Sequence, residues 1–296
     1  VQIVAGRIHT IEPVSARDTP ALDCRGLVLS PGLLDDQGDA EHAILVTPED
    51  PARLVGGVTC EILGASGLGP APVRPTDQRE ARAQLAVRAG YPELPWRWRY
   101  PFEYLDAVSR ARPSRNALYL LPYGAVRRYI TGTSKHPPDE AEQAAINLLL
   151  EGGLRDGSCG VSLSLSEPPS AWASPEEWRN LAQICAARGA PIWVKTTQAS
   201  DEENFAALRD IAQAEGAPLR ARGALAASAS PGEIARELSL SDRGELLPGY
   251  WADLVAHDTS GALVHAWVNG EPVISHGQAT HARPGQVLRA AWSLRG

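Results

Sequence analysis

The apolar positions of this chain change rhythm twice. Over residues 1–30 they alternate: Val1-Gln2-Ile3-Val4, a turn at Ala5-Gly6, then Arg7-Ile8-His9-Thr10-Ile11 and, after a polar loop, Gly26-Leu27-Val28-Leu29-Ser30. A period of two puts apolar side chains on one face of an extended chain and predicts strands. The C-terminal part reads the same way, with a strand at residues 251–257 and a hairpin. There Asn269-Gly270 joins Ala266-Trp267-Val268 to Pro272-Val273-Ile274, and Asn-Gly suits a tight two-residue turn. The middle differs, because short apolar runs alternate with longer amphipathic ones. Strands are predicted at residues 29–35, 58–64, 117–123, 160–165, 191–197 and 218–222, and helices at 48–56, 101–110, 139–151, 175–188 and 201–215. Ser174-Pro175-Glu176-Glu177 is a clear helix start: a capping serine, proline at the first helical position and acids in the first turn. Such alternation predicts an α/β fold with a parallel sheet and crossover helices, either a barrel or a doubly wound sheet.

Composition narrows the function classes. The 296 residues carry 28 Lys+Arg against 35 Asp+Glu, a net charge of -7, and 44% are hydrophobic. This length can bury a core of one domain with an appendage. The acidic balance argues against a nucleic-acid partner or an anionic membrane surface, since phosphate binding needs a basic surplus. No apolar run is long enough for a membrane span or a signal peptide, so a cytoplasmic location is expected. The four cysteines, Cys24, Cys60, Cys159 and Cys185, are far apart and form no C-x-x-C pair, which predicts buried thiols.

Four segments, in order, resemble the N-acyl-D-amino-acid deacylase (D-aminoacylase) group of the amidohydrolase superfamily. Leu29-Ser30-Pro31-Gly32-Leu33-Leu34-Asp35 is similar to the entry into its first barrel strand, and Gly57-Val58-Thr59-Cys60-Glu61-Ile62-Leu63-Gly64-Ala65-Ser66-Gly67 to its second. Residues 160–178, with Pro168-Pro169 and Ser174-Pro175-Glu176-Glu177, resemble its fourth strand and the helix after it. Asp242-Arg243-Gly244-Glu245 through Trp251-Ala252-Asp253-Leu254-Val255, followed by Trp267-Val268-Asn269-Gly270, resembles its C-terminal return to a small β-domain. The resemblance implies a truncated or distorted TIM-like barrel at residues 29–236. It also implies a β-sandwich composed of both chain ends, residues 1–28 and 237–296.

The family holds one or two zinc ions through paired histidines after strand one, a cysteine after strand two, histidines after strands five and six, and an aspartate after strand eight. The matching positions here are Gln37 and Asp39, Ser66, Lys195 and Gly223, and strands seven and eight have no counterpart. Zinc needs imidazole, thiolate or carboxylate donors to activate water, so no bound cofactor is expected at that constellation. Six strands also leave two open barrel edges, to be capped, paired with a partner or covered.

Individual residues carry competing readings. Asp35, Asp39 and Glu41, within Asp35-Asp36-Gln37-Gly38-Asp39-Ala40-Glu41-His42, could hold a hard divalent cation or form a solvated acidic loop. Lys195 is one of only two lysines and ends an apolar strand. It could place its ammonium where a metal once sat, paired with Asp39 or Asp35, or lie at the surface, or serve as a Schiff-base nucleophile. Ser66 fails the G-x-S-x-G spacing and reads as a turn serine. The aromatic run at residues 91–104 reads as packing or as a partner surface, and His136, His257, His265, His276 and His281 as scattered surface or core residues.

The expectations are therefore ordered. First comes a non-catalytic homologue, a subunit, scaffold or regulator that forms a homo-oligomer or joins a related full-length chain. A metal-dependent hydrolase of N-acyl D-amino acids or other linear amides with a rebuilt site comes second. A lyase using Lys195 is third.

Overall fold

The computed structural model describes residues 1–12, 22–36, 40–89, 96–198, 201–226 and 229–290. Gln37 and Asp39, together with residues 91–95 of the aromatic run, lie outside them.

Strands β1 (Gln2–Val4) and β2 (Arg7–Thr10) form a hairpin, and β3 (Val28–Pro31) runs toward the barrel. The barrel strands are β4 (Leu33–Asp35), β5 (Val58–Leu63), β6 (Asn116–Tyr119), β7 (Leu121–Pro122), β8 (Val161–Ser164), β9 (Ile192–Thr196) and β10 (Leu219–Gly223). They pair in parallel as β4-β5-β6 and β7-β8-β9-β10. The two sheets are continuous through the chain. Leu120 N donates to Leu63 O on one side at 2.9 Å, and Leu121 N donates to Gly160 O on the other, also at 2.9 Å. One strand predicted at residues 117–123 thus becomes two, and that predicted at residues 29–35 splits at Gly32, whose Cα lies against the Thr59 side chain.

Helices α1 (Ala43–Val46), α2 (Pro51–Val55), α3 (Gln78–Ala89), α4 (Pro101–Ala111), α5 (Tyr123–Thr131), α6 (Glu140–Arg155), α7 (Pro175–Ala186), α8 (Glu202–Glu215) and α9 (Pro231–Glu237) fill the connections. Ser174 caps α7 as its sequence predicts, in a reciprocal box with Glu177, and Asp139 with Glu142 and Ser230 with Glu233 do the same for α6 and α9.

Alternation along the strands decides what is inside. Leu63, Tyr119, Leu121, Val161, Leu163, Ile192 and Val194 pack outward against the helices. Leu34, Cys60, Ile62, Leu118, Leu120 and Trp193 point inward, where Ile234, Ala235 and Leu238 of α9 meet them. Among the described residues the side between β10 and β4 is covered within the chain: α9 packs on β4, and Arg220 of β10 binds Glu237 of α9 at 2.8 Å. Leu288 and Ala290 enter the same cluster from below, with Leu288 N donating to Ala117 O at 2.7 Å.

The terminal sheet has the order β14-β13-β12-β11-β3, with β11 (Leu254–His257), β12 (Leu263–Val268), β13 (Glu271–Ser275) and β14 (Gln278–Ala279). One face packs through Val255, Ala266, Val268 and Ile274 against Leu54 of α2; the other packs through Leu254 and Ala252 against Ile8 of the β1–β2 hairpin. Asn269 and Gly270 both have positive φ, as the β12–β13 turn requires. The C-terminal signature has a structural purpose. Buried Asp253 accepts hydrogen bonds from Arg243, from Asn116 at the foot of β6 (3.2 Å) and from Asn269 N (2.7 Å), tying the terminal sheet to the barrel.

Candidate functional site

The C-terminal ends of β4–β10 form the face at which a barrel of this kind presents its chemistry. Each position singled out from sequence can be located there, except Gln37 and Asp39.

Asp35 does not point into the mouth. Its register partner is Glu61, on the face of β5 opposite Cys60 and Ile62, so both carboxylates face the helix layer. There Asp35 pairs with Arg53, and Glu61 with Arg115 at 3.0 Å. Burial pushes the Glu61 carboxyl up, and the two arginines pull it back. Glu41 is buried, and its carboxylate accepts Gly64 N at 2.8 Å while its carbonyl accepts the Tyr104 hydroxyl at 2.8 Å. Asp35 and Glu41 therefore hold the loops around β5 and do not converge on a common point.

His42 packs into an aromatic ladder. Ring centroids step from His42 to Trp96 (5.2 Å), Trp98 (5.4 Å), Tyr104 (5.4 Å) and Tyr119 (5.3 Å), and Trp98 Nε1 donates to Pro70 O. Trp96, Trp98 and Tyr104 of the aromatic run are thus packing, while Phe102 is exposed. Ser66 is buried in its turn, its hydroxyl donating to Leu68 O at 3.2 Å, as the turn reading predicts. Ser162 locks that loop to β8 by donating to Gly64 O (2.5 Å) and accepting Gly67 N (3.2 Å). Gly223 has φ +89°, and a Cβ there would lie 2.1 Å from Thr196 O, so no side chain fits without rearrangement.

Lys195 is partnered, but not by Asp35: its ammonium binds Glu167 on the loop after β8 at 2.8 Å. The correction has a simple cause. Lys195 is on the inner face of β9, two residues beyond Trp193, whereas Asp35 faces outward. Beside Lys195 in register is Arg222, also inward-facing and buried. Sequence reading missed both Glu167 and Arg222. The available signal was Arg220-x-Arg222, two cations on one face of a short strand.

These donors do not suit zinc. A protonated lysine offers no lone pair, Gly223 has no donor atom, and the Ser66 hydroxyl is engaged. Among the described residues no three His, Cys, Asp or Glu side chains stand close enough to hold a metal ion. Of the four cysteines predicted to be buried, Cys60, Cys159 and Cys185 are, and burial raises all three, Cys159 and Cys185 to about 12, whereas Cys24 near the β3 entry is only half-buried. No described helix is long and apolar enough to cross a membrane.

No family model matches the chain. It is 28% identical over 178 residues to an N-acyl-D-aspartate deacylase of Alcaligenes xylosoxydans xylosoxydans, covering 60% of this chain and 35% of that protein. An N-acyl-D-glutamate deacylase of the same organism is 27% identical over 192 residues, covering 64% and 38%. The chain thus spans little more than a third of the curated relatives it matches. A solved D-aminoacylase with a binuclear metal centre superposes with a TM-score of 0.78 at 16% identity, over 96% of this chain and 94% of that one. The N-acyl-D-glutamate deacylase of Bordetella bronchiseptica, solved with zinc and a phosphonate inhibitor, gives 0.78 at 18%, over 97% and 94%. Over the matched segment the chain is similar in sequence to these deacylases, and along nearly its whole length it has the fold of the solved D-aminoacylases.

Proposed function

We propose that this chain is a non-hydrolytic relative of the D-aminoacylases that works as a subunit, scaffold or regulator, assembled with a second copy or with a related full-length chain. The observation that carries the reading is the Lys195–Glu167 ion pair at the end of β9. The family resemblance places a metal-binding histidine at that strand end, and a fixed ammonium there repels a dication. The packed barrel centre supports the same reading, since α9 and Trp193 occupy the space beneath the mouth. Hydrolysis of an unactivated amide in this fold depends on a bound ion to polarise the carbonyl and supply hydroxide. An assembly role draws support from exposed Leu33 and Val55, apolar side chains on the β4 side.

The test is metal analysis of the dialysed full chain, with turnover of N-acetyl-D-aspartate, N-acetyl-D-glutamate and a neutral N-acetyl-D-amino acid, with and without added zinc. The reading predicts less than about one-tenth equivalent of divalent metal and no zinc-stimulated release of amino acid. A stoichiometric ion with zinc-dependent release overturns it in favour of metal-dependent amide hydrolysis. Sizing at micromolar concentration should give a dimer or larger species; a clean monomer removes the homo-oligomeric form.

A further inference from the structure

Three cationic side chains lie on the inner face of β9 and β10, and the described residues balance only two of them. Arg220 binds Glu237 at 2.8 Å and its guanidinium lies 5.3 Å from the Trp193 ring centre. Lys195 binds Glu167 at 2.8 Å. Arg222, next to Lys195 in register and two residues beyond Arg220, is 5% exposed, and its Nε has no hydrogen-bond partner. Among the described residues its guanidinium forms neither an ion pair nor a side-chain hydrogen bond; only its carbonyl is used, accepting the Thr196 hydroxyl at 2.9 Å.

A guanidinium stays charged at any physiological pH, so it cannot escape burial by losing its proton. A buried Nε–H without an acceptor, on a charge with no counter-ion among the described residues, costs free energy, and a neighbouring ammonium raises that cost. The natural relief is an anion supplied from outside. The planar fork of an arginine matches two oxygens of a carboxylate or a phosphate, and a lysine beside it adds charge without a directional demand. Lys195, Arg222 and Glu167 together carry one positive charge, which suits a single oxyanion.

We propose that the barrel mouth is an oxyanion site in which Arg222 receives the carboxylate of a small organic acid, or inorganic phosphate, with Lys195 alongside. This rests on the reading above that the mouth is not a zinc site, and it names the ligand class that takes the metal's place.

The experiment uses the dialysed full chain, assayed for metal and titrated by calorimetry and thermal unfolding with N-acetyl-D-glutamate, acetate and inorganic phosphate, with sodium chloride as the ionic-strength control. One carboxylate or the phosphate should bind at one equivalent and raise the unfolding midpoint beyond chloride; which arm responds identifies the source. Arg222→Met should weaken that binding at least about tenfold, and Arg222→Lys should weaken it too, because it keeps the charge and loses the fork. Without ligand, Arg222→Met should be at least as stable as the parent. Should that variant fail to fold, the comparison with Arg222→Lys carries the test. The proposal is overturned if no arm exceeds chloride, or if both variants bind like the parent. A metal-free protein that ignores every oxyanion sinks this inference alone, whereas a stoichiometric zinc with turnover sinks the functional reading with it.

Discussion

Replacing His42 with phenylalanine should remove much of the protein's sensitivity to mild acid. The imidazole is 2% exposed, lies against Trp96, and neither ring nitrogen has a hydrogen-bond partner. Burial, and then the charge of Arg82, lowers its pKa from 6.5 to about 4. Between those values the unfolded chain binds a proton that the native chain refuses, so the neutral ring's contribution is intact above pH 6.5 and is lost as pH falls toward 4. The full difference corresponds to about 3 kcal/mol, with about 1.4 kcal/mol lost at about pH 5.5 and about 2.6 kcal/mol at about pH 4.5. Glu61 acts in the opposite sense, because burial raises its carboxyl and favours the native state at low pH. That contribution is common to both proteins and cancels in their difference. Phenylalanine keeps a flat ring for the Trp96 contact and cannot be protonated. Urea denaturation followed by circular dichroism, from about pH 4.5 to about pH 7.5, should give nearly equal stabilities at the upper end and a variant more stable by about 2–3 kcal/mol at the lower end. A difference that stays flat across this range would refute the reasoning.

Four further substitutions test separate parts of the account. Lys195→Met leaves the Glu167 carboxylate half-buried without its partner and should cost about 1 kcal/mol at neutral pH; no change in the denaturation midpoint would count against a structural ion pair. Gly223→Ala forces a Cβ onto Thr196 O at a positive φ and should lower stability by about 1–3 kcal/mol, read as a fall in Tm. Leu238→Ala opens a cavity between α9 and the inner strands and should cost about 2–5 kcal/mol; a small effect would mean that α9 is not part of the barrel core. Arg115→Met strands Glu61 in the helix layer and should cost about 3–5 kcal/mol at neutral pH, with recovery as acid protonates the carboxyl.

Local chemistry wrote itself plainly into the chain. The Asn269-Gly270 turn, the Ser174-Pro175 helix start and the positions of the barrel strands follow from short-range rules of φ, capping and periodicity, which act over a few residues and so can be read from a few residues. The likeness to D-aminoacylases was also legible, carried by segments such as Asp242-Arg243 to Asn269-Gly270. In the fold these residues build the buried Asp253 network that joins the terminal sheet to the barrel.

Partnership was not legible, because it depends on which face of a strand meets which face of another. Asp35 and Lys195 both stand at barrel-strand ends in the pattern, yet the phase of each strand sends one to Arg53 outside and the other to Glu167 inside. The helix that covers the side between β10 and β4 was missed for a similar reason. Residues 231–237 are short and weakly periodic, and what makes them core is the empty side of the barrel that they fill. Sequence therefore determined the elements, the likeness to D-aminoacylases and the want of zinc donors at Lys195, Ser66 and Gly223. Only the tertiary structure decided that Arg222 is buried beside Lys195 without a counter-charge among the described residues, since burial is a property of the packed whole and not of any segment.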